Sequence, residues 1–156
     1  MFLKLCVPLH KHALHGNWPA AKRILDKENR LINAAITIGW PTLLHIAAGA
    51  NQTYFVKQLL KRLDDNDMAL QDISGNTAFC IAAAAGNIEI VDLMLERNPR
   101  LPIIRGGNGY TPIHYSALQG RCKMTWHLYD KTIHRFEDDD RNSLFFACIY
   151  SGIYGK

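Results

Sequence analysis

A short phrase returns along this chain at nearly constant spacing. Thr77-Ala78-Phe79-Cys80-Ile81-Ala82-Ala83 runs to Gly86, and Thr111-Pro112-Ile113-His114-Tyr115-Ser116-Ala117 runs to Gly120. The matching positions are His10, His45, Cys80, His114 and Phe146, so the steps are 35, 35, 34 and 32 residues. A chain that keeps register in this way is built from repeated units. Each unit must then bury its apolar face against its neighbours, because one unit alone cannot form a core.

The residue types explain how a unit is made. Thr111 can cap a helix by accepting from an orphan backbone N–H, and Pro112 suits the first helical position, where a missing N–H costs nothing. Gly16, Gly86, Gly120 and Gly152 each stand six residues after the repeated position, where a left-handed residue would stop the first helix. Repeat two has Asn51 there, the next most tolerant residue for that backbone. After each stop a second helix is expected from apolar residues at helical period: Ile24 and Leu25; Phe55, Val56, Leu59 and Leu60; Ile90, Val91, Leu93, Met94 and Leu95. The fourth copy, Met124, Thr125, Trp126, Leu128 and Tyr129, is less regular and carries the polar His127, which predicts looser packing.

A period near 33 with a Thr-Pro-Leu-His type opening resembles the ankyrin repeat, one β-turn plus two helices per unit. The expected fold is an all-α solenoid of helix-turn-helix units joined by β-turn hairpins. It forms a single domain over 1–156, with repeats at about 7–35, 36–70, 71–104 and 105–138 and a partial fifth at 139–156. A narrower likeness rests on Leu9-His10-Lys11 with Gly16-Asn17-Trp18, and on Ala34-Ala35-Ile36-Thr37 running into Gly39-Trp40. Leu44-His45-Ile46-Ala47-Ala48-Gly49-Ala50-Asn51, Leu70-Gln71-Asp72, Gly75-Asn76-Thr77-Ala78-Phe79-Cys80 with Ala82 to Gly86, and Leu118-Gln119-Gly120 extend it. On these phrases the chain resembles the plant ankyrin proteins that carry a membrane-spanning PGG domain after the repeats, the accelerated-cell-death type included. The resemblance implies a cytoplasmic ankyrin region used for protein contacts, attached to a C-terminal membrane domain and linked to defence or stress signalling.

Composition excludes other classes. Hydrophobic residues make up 48% of the chain, which is globular rather than disordered. The net charge of +4 comes from 18 basic and 14 acidic residues, and the basic ones are scattered, so a nucleic-acid surface is not expected. No apolar run is long enough for a transmembrane helix. The opening Met1 to Val7 is interrupted by Lys4 and closed by Pro8, against a signal peptide. Asp64-Asp65-Asn66-Asp67 and Glu137-Asp138-Asp139-Asp140 are expected to be solvated connecting loops, and neither has calcium-loop spacing. Cys6, Cys80, Cys122 and Cys148 form no CxxC pair and read as reduced thiols of a cytosolic chain. Asn51-Gln52-Thr53 fits the glycosylation pattern, but Asn51 is already explained as a helix stop.

Three constellations imitate chemistry. His10, His12 and His15 crowd one helix, yet no nearby Cys or carboxylate completes a metal-ligand set. Arg105-Gly106-Gly107-Asn108-Gly109 lacks the Gly-Lys-Ser/Thr of a phosphate loop and reads as the hairpin of repeat four. Cys80 and His114 hold equivalent core positions with no third orienting group. The expectation is therefore no enzyme, no cofactor and no metal.

Binding to another protein is the expected function. In an ankyrin stack the variable positions lie on the hairpin tips and the concave side of the first helices. Carried over, these are Ile38 and Trp40, then Ile73, Ser74 and Asn76, then Tyr110, Leu118 and Gln119. For Trp40, Ile73 and Leu118 the sequence leaves burial open. Replacing Tyr110 and Asn76 by Ala is expected to weaken binding and leave stability nearly unchanged. Ala84 and Ala85 predict a shallow middle to the groove. Leu144, Phe145, Phe146, Ile149, Tyr150, Ile153 and Tyr154 predict a helix with an uncovered apolar face. The sequence reads as the N-terminal part of a longer array, with further repeats packing on Phe145, Phe146 and Ile149, or as a shortened gene product with no independent activity; the other alternative is a dimer through this face.

Overall fold

The computed structural model describes residues 2–152, so Ile153 and Tyr154 of the expected apolar patch lie outside the described residues. Among these there are nine α-helices: α1 (Phe2–His15), α2 (Trp18–Lys27), α3 (Leu43–Gly49), α4 (Thr53–Leu60), α5 (Ala78–Ala85), α6 (Ile88–Arg97), α7 (Pro112–Leu118), α8 (Cys122–Thr132) and α9 (Asp138–Tyr150). They form four helical hairpins and a ninth helix. The odd-numbered helices pack side by side in one row, each on the next, and α2, α4 and α6 follow in a second row behind them. The core runs between the rows. Leu9, Leu25, Leu43, Phe55, Phe79 and Ile90 have no more than trace exposure, and Trp18 meets Phe55 edge-on at 5.2 Å. Cys6 and Cys80 are buried in the same core.

The helix stops are where the sequence puts them. Gly16, Gly86, Gly120 and Gly152 have φ of 72°, 77°, 69° and 74°, and Asn51 has 59°. At Gly16, Asn51, Gly86 and Gly120 the chain reverses into the following helix with left-handed backbone, which Gly adopts freely and Asn tolerates. The starts are also capped by threonine. Thr77 Oγ1 accepts from the Cys80 N–H at 3.2 Å. Thr42 and Thr111 cap differently: each gives its N–H and its hydroxyl to Nδ1 of the histidine three residues on, His45 or His114.

Between repeats the hairpins are stitched together. Asp72 Oδ1 accepts from the N–H groups of Ser74 and Asn76, which folds the repeat-three turn. Its Ile73 N–H reaches Gly39 O of the preceding hairpin at 2.8 Å, and Gln71 Nε2 reaches Arg105 O of the following one at 3.0 Å.

One expectation is corrected. Asp138, Asp139 and Asp140 are not a loop: they form the first turn of α9, with Glu137 as its cap. Negative charge at a helix N-terminus opposes the partial positive charge of the unpaired N–H groups, so the acidic run starts a helix. Phe146 stands six residues before Gly152, as the repeat requires, but in that register α9 begins six residues earlier than α7 does and replaces the hairpin. Repeat four is close-packed within its own hairpin, but α8 lies more loosely against α6 than α6 does against α4, as its irregular pattern predicts, and Trp126 and Tyr129 are exposed. Met124 and Leu128 are buried, Ser116 and Thr125 share a buried hydroxyl bond of 2.9 Å, and His127 Nε2 lies 2.6 Å from Asp92 Oδ1 of α6. Its polar side chains are tied to partners, which offsets the desolvation that loose polar groups would suffer.

Candidate partner-binding face

The hairpin tips and the front of the first-helix row make one surface. Ile38 is 98% exposed, Ile73 63% and Trp40 60%, and Ser74, Leu118 and Gln119 are also exposed. The open question over Trp40, Ile73 and Leu118 is thus resolved towards solvent. Trp40 reaches that position on strained backbone. Its φ is 64°, directly after Gly39 at 94°: the hairpin closes between Ile36 N–H and Pro41 O at 2.9 Å, one residue longer than the Asp72–Asn76 and Gly106–Tyr110 closures of the next two repeats, and the extra residue is taken up in left-handed backbone. A left-handed bulky residue of this kind is an outlier that the surrounding structure must hold.

Asn76 and Tyr110 are only half exposed, and Asn76 is structural. Its side-chain oxygen accepts from Gly107 N–H at 2.9 Å, and its carbonyl receives His45 Nε2 at 2.9 Å. The expectation that Ala at 76 leaves stability unchanged is therefore withdrawn. The hydrogen-bond role comes from contact with the next hairpin, which no local pattern reveals. Tyr110 lies against His114, ring centroids 5.3 Å apart at 25°, and His114 in turn lies against Phe136 at 5.3 Å and 27°. Burial holds the His114 and His45 rings below their ordinary titration range, so both are neutral at pH 7.

Tyr110 and Leu118 open onto a cleft of about 430 Å³ between α7 and α9, whose far wall is Ser143, Phe146 and Tyr150. The sequence assigns Phe146 and Tyr150 only to an uncovered helix face. The signal that could have found them is the spacing 139, 143, 146 and 150, which puts four residues on one stripe of α9. Phe145 and Ile149, also exposed, fall on a different stripe. The cleft floor offers no free hydrogen-bonding group from His114, because Nδ1 is taken by Thr111 and Nε2 gives its proton to Asp140 O at 3.1 Å. Above it Arg105 grips Asp140 with two bonds of 2.8 Å, holding that carboxyl down to about 2. In the middle of the row Ala84 and Ala85 are half-buried, so the floor there is backbone and methyl groups, as expected.

No helix of the described residues is long and apolar enough to cross a membrane, and no three metal-ligating side chains gather among them. This surface can exclude water from the apolar part of a segment that lies on it.

Comparison with known proteins adds the family. Residues 44–142, more than half the chain, match the model for ankyrin repeats in three copies. A subunit of target of rapamycin complex 2, AVO2 of Saccharomyces cerevisiae, is 28% identical over 113 residues, 72% of this chain and 26% of that protein. An ankyrin repeat-containing protein of Arabidopsis thaliana is 38% identical over 60 residues, 38% of this chain and 12% of that protein. The chain thus spans about a quarter or less of the length of these relatives.

Proposed function

Because this chain belongs to the ankyrin-repeat family, whose repeats serve as protein–protein interaction modules, we propose that it is a noncatalytic binding module that holds a partner protein along its concave face. The observation that carries this reading is the make-up of that face. Ile38, Trp40, Ile73, Ser74, Tyr110, Leu118 and Gln119 include no charged residue, while charges such as Lys57 and Glu96 stand exposed on the second helices. Exposed tryptophan and tyrosine in a charge-poor patch are preferred interface anchors. Asn76 contributes by holding the tips in register.

The wider setting is a proposal too: the cytoplasmic interaction region of a plant membrane protein in defence or stress signalling. Its support is the set of phrases shared with the PGG-domain group and the likeness to the Arabidopsis protein. Further repeats would seat on Phe145 and Ile149, with Phe146 at the edge of the contact, since these side chains are exposed on α9. AVO2 is by name a subunit of a larger complex, which agrees with a binding role.

Photo-crosslinking tests the concave-face reading. A photoreactive amino acid at Ile38 or Leu118 should capture a discrete partner from cells, and the same residue at Lys57 or Glu96 should not. Capture from the second-helix positions alone would overturn it.

A further inference from the structure

The stripe of α9 that walls the cleft at Ser143, Phe146 and Tyr150 continues one turn towards the helix start, past the cleft lining, to Asp139. Asp139, Ser143, Phe146 and Tyr150 follow one another at intervals of four, three and four residues and so line one stripe of α9. Of the three first-turn aspartates, Asp140 is held by Arg105 and Asp138 meets Arg141 at 3.4 Å, whereas Asp139 has no ion-pair partner among the described residues. The stripe therefore passes from an unneutralised carboxylate to two exposed rings, Phe146 at 57% and Tyr150 at 86%. The opposite wall is Leu118 and Tyr110. The volume, about 430 Å³, falls within the range of small-ligand pockets, roughly 300–1,000 Å³. Its surface is mainly apolar and its His114 floor is already satisfied, so an apolar side chain fits it.

We propose that this cleft recognises a peptide segment of a partner protein, taking an aromatic or aliphatic side chain between Leu118, Phe146 and Tyr150 and a lysine or arginine beside Asp139. The proposal rests on the concave-face reading and names the chemistry of the partner. Helix geometry also sets the spacing. At 1.5 Å per residue, Asp139 lies about 10 Å from Phe146 and about 16 Å from Tyr150 along the axis. An extended peptide covers about 3.3 Å per residue, so the base belongs about three to five residues from the anchor. The sequence hides this site because the carboxylate exists there only through the early start of α9.

The test pans a random 12-residue peptide library on phage against the whole chain, then measures the enriched sequences as labelled synthetic peptides by fluorescence anisotropy. Enriched peptides should pair Phe, Tyr, Trp or Leu with Lys or Arg at that spacing. Tyr150→Ser and Phe146→Ser should each weaken binding about tenfold, as truncated anchors do. Asp139→Lys should weaken it several-fold, and exchanging the peptide's base for Glu should restore it. Tyr150 is so exposed that its variant keeps the test valid if Phe146→Ser fails to fold. Peptides that respond to Trp40→Ala but to none of these three variants would overturn the cleft proposal and leave the concave-face reading standing. Peptides indifferent to every concave-face substitution, or no enrichment, would overturn both. Loss with Asp139→Lys that charge exchange does not restore would also overturn it.

Discussion

His45 gives its Nε2 proton to the carbonyl of Asn76, 2.9 Å away in the next repeat, while Nδ1 receives the N–H and hydroxyl of Thr42 at the start of its own helix. One ring closes a helix end and ties two repeats. His114 does the same between Thr111 and Asp140. Cys80 stands at the equivalent position with its Sγ against Gly106 of the next hairpin, where a thiol is a weaker hydrogen-bonding group than an imidazole. There the Asn76 side chain holds Gly107 N–H, and the Tyr115 hydroxyl bonds Gly107 O.

His45→Ala should therefore be costly. It leaves the Asn76 carbonyl and the Thr42 donors without partners in a buried site, about 1–3 kcal/mol for an unmade bond and more with the lost packing. Cys80→Ala removes only a small side chain and should cost less. Urea unfolding of the two variants measures the difference, and equal losses would show that the histidine tie carries no special share.

Stability should fall as pH is lowered from about 6.5. His45 and His114 have depressed pKa values, first because they are buried, so below their ordinary 6.5 the unfolded chain takes up protons that the folded chain refuses. Above 6.5 the two rings are neutral in both states and contribute no slope. Asp140 acts lower down: Arg105 holds it to about 2, so its contribution is complete above 3.8 and disappears as pH falls from there to about 2. A urea midpoint series against pH, repeated on His45→Gln/His114→Gln, should show the slope just below 6.5 flattened in the variant.

Two glycines should resist substitution for different reasons. Gly86→Val forces a β-branched residue into φ 77°, a strain of order 1–3 kcal/mol. Gly107→Ala would drive a methyl into the carbonyl of Ser74, although no left-handed backbone is involved. Thermal melting should drop for both, and an unchanged melt for Gly86→Val would refute the helix-stop role of that residue.

Trp40→Gly should separate stability from binding. Relief of the left-handed strain at φ 64° should leave the fold as stable or raise it by about 1 kcal/mol, while loss of the exposed ring weakens partner capture. A melt that falls by several degrees would mean that the indole packs.

Local signals made the solenoid readable. The stop at Asn51 was visible because only a few residue types accept positive φ, and the cap at Thr111 because short polar side chains are the ones that close a helix start. The C-terminal unit was not readable in the same way. Glu137 to Asp140 carry the composition of a loop, and only the absence of turn residues before them hints that α9 begins there. Asn76 was placed on the tip correctly, but its bond to Gly107 spans 31 residues and leaves no trace in either segment alone. The cleft depends on α7 and α9 lying side by side, which is a property of the stack.

The two sealed thiols give the molecule its own reporters of where it comes apart. Cys6 and Cys80 are buried and burial pushes both thiols up, so neither offers much thiolate to an alkylating reagent while its surroundings stay closed. In a quasi-one-dimensional array the end units open at lower free energy than the interior ones. Cys6 reads the first unit and Cys80 the third, so their relative labelling rates measure fraying from the N-terminal end against opening of the middle, in the native protein and without an introduced probe.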